Sequence, residues 1–132
     1  MVDVTRKPWT HRRATARCRV ALGEAGGGAT LSGGEGRSGA PAPWTELLDA
    51  ARLAGIQAAK QTARLIPLCH PLTSCDVKVM VSVAGGVIEV ESHAEVVGPT
   101  GVEMEALTAC AGAALTIWRR CCPAIPTPRS RT

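Results

Sequence analysis

The chain is expected to fold as one domain in which helices pack on an antiparallel β-hairpin, and three observations carry that expectation. Val77, Val79, Val81 and Val83 alternate with Lys78, Met80 and Ser82, Gly85-Gly86 follows, and a mirrored alternation returns over 88–96. On either side, over 44–66 and 102–118, apolar residues recur at helical spacing instead. The chain has 132 residues, 45% of them apolar and 20% charged, which suits one core. Three Trp carry all the aromatic mass, with no Tyr or Phe, so that core must be aliphatic.

In chain order, residues 1 to 20 hold six Arg or Lys against the single acid Asp3. Residues 23–43 contain eight Gly and two Pro and read as a flexible loop. That run lacks the Gly-Lys-Ser/Thr ending of a phosphate-binding loop. From Trp44, the residues Leu47, Ala51, Ala54, Ala58 and Leu65 mark one helix face, with Thr45 as the expected N-cap and Pro67 as the stop. Its many alanines allow close packing. Lys60 and Arg64 share a face of this helix, and with Arg52 they are either solvated or an anion site. Leu68-Cys69-His70-Pro71 forms a short turn in which Pro67 and Pro71 leave His70 little freedom.

The hairpin then places Ile88, Val90, Ala94 and Val96 on a packed face and Glu89, Glu91, His93 and Glu95 on a wet one. Gly98-Pro99-Thr100-Gly101 breaks the strand, and Leu107, Ala111, Ala114, Leu115 and Trp118 mark a second helix. Thr100 and Glu103 match a capping box. Glu105 has no such structural job, and it points with Glu103 only if this segment is extended. Arg119 to Thr132, rich in Pro and Arg, reads as a disordered tail.

Several function classes are excluded or disfavoured. The charge-free run Ala106 to Trp118 is too short to span a bilayer. The basic arm lacks any nucleic-acid reading element, so no nucleic-acid partner is expected. Six cysteines without an export signal read as reduced thiols in a cytoplasmic protein. No second Cys or His follows Cys69-His70 at ligand spacing, so no metal is expected.

Ala54-Gly-Ile-Gln-Ala-Ala-Lys60, Leu65-Ile-Pro-Leu-Cys-His-Pro-Leu72 and Gly98-Pro-Thr-Gly-Val-Glu-Met-Glu-Ala-Leu-Thr108 resemble the cyclic pyranopterin monophosphate synthase family of molybdenum cofactor biosynthesis, as does Met1-Val-Asp-Val-Thr5. The resemblance covers 1–5 and about 51–118. It implies an α+β, ferredoxin-like subunit with an antiparallel sheet packed against helices. It also implies a homohexamer, a trimer of dimers with the active site at a dimer interface. The family is a lyase that turns a cyclised dihydroguanosine triphosphate into cyclic pyranopterin monophosphate and releases pyrophosphate, without a cofactor.

By the same resemblance His70, Glu103 and Glu105 are the expected catalytic residues. Leu68, Cys69, His70, Met104 and Glu105 are expected to line the substrate pocket, with Lys60 and Arg64 as cations for the triphosphate. Opening a purine-derived ring and closing a cyclic phosphate both move protons, which suits an imidazole and a carboxylate. The sequence departs from the family at three positions. Trp44 stands where a catalytic Lys is expected, Arg119 where an Asp is expected, and Cys122 where a second Lys is expected. The change after Trp118 is abrupt and reads as a shift of reading frame, so the family-like domain is expected to span 1–118. A catalytically impaired member that binds the substrate or joins an intact relative is the alternative. A lost C-terminal strand would also lower solubility or leave hexamers incomplete.

Overall fold

The computed structural model describes residues 1–21, 43–84 and 86–121. Strand β3, Val87–Gly98, is its centre, because both of its edges are paired and one of its faces is buried. Ile88, Val90, Ser92, Ala94 and Val96 are buried beneath the helices, while Glu89 and Glu95 face outward, the period-2 pattern of a strand packed on one side. Strand β2, Asp76–Ala84, pairs with one edge of β3 in the expected hairpin, with Gly86 at φ 79° in the turn.

Strand β1, Thr10–Ala21, pairs antiparallel with the other edge, giving the order β1-β3-β2. Nothing in the sequence reading assigned this strand. Its helix-facing side chains, Ala14, Ala16, Cys18 and Val20, are mostly small, so the alternation is faint. Its outward face explains the charge asymmetry of the chain. Arg17 stands opposite Glu91 and Arg19 opposite Glu89, and both pairs form ion pairs, the second at 3.0 Å. His11 reaches Glu95 at 3.1 Å, and His93 lies 2.7 Å from Glu91 and 2.8 Å from Thr15. The acidic row is therefore paired across strands rather than merely wet.

Helix α1 spans Pro43–Lys60, a one-turn helix α2 spans Thr62–Leu65, and helix α3 spans Glu103–Cys121. The order β-α-α-β-β-α, with β1 and β2 both antiparallel to β3, is that of a ferredoxin-like α+β sheet whose described part holds three strands. The expected single helix over 44–66 is split at Gln61 (φ −102°, ψ 5°), where Thr62 turns its hydroxyl inward to donate to the Ala59 carbonyl at 2.7 Å. Leu65, expected on the packed face, is exposed in consequence. Helix α1 starts at Pro43, whose fixed φ suits a first turn, so Thr45 lies inside the helix and does not cap it. Helix α3 starts at Glu103, three residues after Thr100, and its first turn closes through the Ala106 N–H on the Val102 carbonyl (3.1 Å). The expected capping box therefore does not form. Arg119, Arg120 and Cys121 continue α3, so the segment expected to be a tail from 119 is helical to 121, where two arginines meet the negative end of the helix dipole. The expected Gly-rich loop up to 42 and the tail beyond 121, with Cys122, lie outside the described residues.

Helices α1 and α3 run antiparallel across the sheet with a seam of small residues between them. A Cβ placed on Gly112 would lie 2.6 Å from the Ala58 Cβ, and one on Gly55 would lie 2.8 Å from the Ala109 carbonyl oxygen. The core beneath is aliphatic, with Ile88, Val90, Val102 and Ile117 almost fully buried. Each such side chain contributes about 1.5–3 kcal/mol on leaving water. The alanines of α1 thus serve the helix–helix seam as well as the sheet.

Candidate functional site

Two clefts meet on either side of the segment Pro71–Ser74. The first, of about 360 Å³, is bounded by the end of α1, by α2 and by the first turn of α3, and is lined by Lys60, Arg64, Cys75 and Glu105. Its two cations stay together although the helix breaks between them, because the one-turn α2 keeps the chain winding through Gln61. Glu105 is buried, with 4% of its surface exposed, and burial raises the pKa of its carboxyl, with the Glu103 charge adding to the effect and a backbone hydrogen bond opposing it. The same carboxylate, after burial, raises the pKa of the Cys69 and Cys75 thiols, while Lys60 works against this at Cys75.

The second cleft, of about 400 Å³, holds His70 between Trp9, Val97 and Pro99. His70 is half-buried and is delivered by a tight turn in which the Cys69 N–H donates to the Ile66 carbonyl at 3.4 Å. Pro67 occupies the second position of that turn and Leu68 the third, at φ 62°. A positive φ at the third position is the requirement of a type II turn, and glycine normally supplies it. Here a leucine does, at a cost of about 1–3 kcal/mol.

A model of the MoaC family matches residues 1–125. Cyclic pyranopterin monophosphate synthase of Thermomicrobium roseum is 51% identical over 121 residues, which cover 89% of this chain and 68% of that protein. The chain belongs to the MoaC family. The synthases of Parvibaculum lavamentivorans and Chloroflexus aggregans are 47% and 46% identical, with 89% and 92% of this chain covered and 71% and 70% of theirs.

Of the residues expected to act in this MoaC-family chain, one protomer brings Lys60, Arg64 and Glu105 into the first cleft and leaves His70 in the second. Leu68 is 72% exposed and lines neither. Cys69 and Met104 are half-buried and line neither, although Cys69 feels the Glu105 charge. Glu103 and Glu105 diverge, because two residues along an α-helix turn through about 200°. Glu103 is exposed, and its carboxylate folds back over Gly101. Arg52 is not part of the cation cluster: it pairs with Asp49 at 2.6 Å and donates to the Val81 carbonyl at 3.4 Å.

Trp44 and Arg119, two of the positions expected to depart from the family, lie elsewhere. Trp44 opens α1, and Arg119 lines a third cleft with Glu46, Leu115 and Arg120 at the far end of the α1/α3 pair. Sixteen helical residues separate Trp44 from Lys60, about 24 Å at 1.5 Å each. The reading of the sequence missed Thr73 and Ser74 on the shared wall, Cys75 in the first cleft and Trp9 in the cleft of His70, because none stands in a periodic pattern. Among the described residues no group of three or more His, Cys, Asp or Glu side chains is placed to hold a metal ion, and no helix is long and apolar enough to cross a membrane.

Proposed function

We propose that this chain carries out the cyclic pyranopterin monophosphate synthase step of molybdenum cofactor biosynthesis. It would be a lyase acting on cyclised dihydroguanosine triphosphate with release of pyrophosphate. The observation that carries the reading is a cleft lined by Lys60, Arg64 and a buried carboxyl, Glu105, inside a chain that belongs to the MoaC family. Closing a cyclic phosphate requires a substrate hydroxyl to attack the innermost phosphorus while the bond to the outer two phosphates breaks. The negative charge that builds on the departing pyrophosphate is met by the two cations. A carboxyl whose pKa is raised by burial can hold a proton at higher pH than an exposed one and can release it to a ring nitrogen or leaving oxygen. His70, across the Pro71–Ser74 wall, is assigned the second proton transfer, and Leu68, Cys69 and Met104 the support of these groups. Glu103 is assigned its role towards a neighbouring protomer.

A homohexamer built as a trimer of dimers is proposed with this activity, on the ground of family membership alone. A cytoplasmic location is proposed with it, in keeping with the reduced thiols of Cys18, Cys69, Cys75 and Cys110. Arg119, which reverses the charge expected at its position, favours one second reading, a member that binds the substrate without turning it over.

Supplying the purified chain with the cyclised dihydroguanosine triphosphate and following pyrophosphate and pterin together tests the assignment. His70→Ala should lower kcat by a factor of about 10² to 10⁴ with assembly unchanged. Unchanged turnover in that variant would remove His70 from the mechanism. Binding without turnover in the wild-type chain would select the second reading.

A further inference from the structure

We infer that the Trp9 indole is the stacking platform for the planar ring of a purine-derived ligand in the His70 cleft, which deepens the proposed function and rests on it. In a chain with three aromatic residues, Trp9 is 73% exposed, more than any other large apolar side chain described. An indole left in water forfeits most of the stabilisation its burial would bring. The backbone that carries it is nevertheless anchored. Trp9 immediately precedes β1, whose Thr10 is paired with Gly98, and this sets the indole beside Pro99. The segment ahead of it is tied by the Lys7 N–H on the Val4 carbonyl (3.0 Å) and by Asp3, which accepts from the Thr5 N–H at 2.9 Å.

The cleft chemistry selects the occupant. About 400 Å³ suits a small heterocycle, and the lining combines apolar side chains with His70 and a few hydroxyls, the composition of a small-molecule site. No Lys or Arg lines it, so it offers a polyanionic arm no fixed positive charge. The cations stand on the other side of the Pro71–Ser74 wall, beside Glu105. A ligand with an uncharged flat ring and a polyanionic arm fits this division, with the ring on Trp9 and His70 and the arm at Lys60 and Arg64. A base on an aromatic face gains through its π-surface whatever its edge pattern, so Trp9 supplies affinity and His70 the polar contact.

Two measurements on the full chain separate this assignment from the reading beneath it. Titration with guanosine triphosphate should change the Trp9 emission, taken as the difference between wild type and Trp9→Phe, whereas inorganic tripolyphosphate should not. In the turnover assay Trp9→Ala should raise KM at least about tenfold with kcat nearly unchanged, and Trp9→Phe should recover most of the loss. A KM unmoved by Trp9→Ala, or an emission change that follows protein concentration rather than guanosine triphosphate, would overturn the assignment, the latter by placing the indole against a second copy. If wild type makes no pterin while guanosine triphosphate still changes the Trp9 emission, the catalytic reading falls and the stacking site stands.

Discussion

At the scale of single residues, Glu105 is the group whose surroundings matter most. Burial raises the pKa of its carboxyl, so between the ordinary carboxylate value and the raised one the folded chain binds more proton than the unfolded chain. Stability therefore falls as pH rises through that window, and above it the folded state carries a fixed burden. Glu105→Gln removes the charge at almost constant shape. Its Tm should exceed that of the wild type at pH 8, and the gain should disappear as the pH falls below the ordinary carboxylate range, where both side chains are neutral. Melting curves at the two pH values check this, and an equal difference at both would show that the ionised carboxylate is not the cause. The same residue shows what the sequence could not convey. Glu103 and Glu105 look alike as text, and only the start of α3 at Glu103 turns one outward and buries the other.

At the scale of elements, the helix seam is the most exacting contact. Exchanging a helical Gly for Ala normally favours the helix by about 1 kcal/mol, but a Cβ on Gly112 would press to 2.6 Å of the Ala58 Cβ. Overpacking of this kind costs about 1–3 kcal/mol. Gly112→Ala should lower the denaturation midpoint, whereas Gly101→Ala, which displaces only the mobile end of Glu103, should leave it nearly unchanged. Equal midpoints for the two variants would mean that the seam can open. The β2–β3 hairpin was legible because regular alternation and paired glycines are local signals, and α3 because its apolar spacing is sustained. Strand β1 was not, because its small inward residues and basic outward row make sense only against the acids of β3, some seventy positions away. The cation pair Lys60 and Arg64 was legible from its spacing. The separation of His70 from it was not, since that depends on which side of Pro71–Ser74 each cleft opens.

At the scale of the whole molecule, β1 forms the edge of the described sheet, and a long strand with a free edge invites pairing with other chains. Sizing chromatography is expected to show incomplete hexamers, in a broad and concentration-dependent profile with smaller species. A single sharp hexamer peak with a cooperative melt would show that the edge is covered in the assembly. The wall Pro71–Ser74 has a different consequence, because one short piece of backbone bounds two cavities of unlike chemistry. Whatever settles in either cavity acts on the same four residues, so the two halves of a ligand are not independent guests. A nucleoside in one and an oligophosphate in the other are expected to alter each other's dissociation constant, and by one common factor since linkage is reciprocal; equal constants with and without the second guest would show that the wall is rigid. The tether joining ring to phosphates would then add to a communication that the protein already provides.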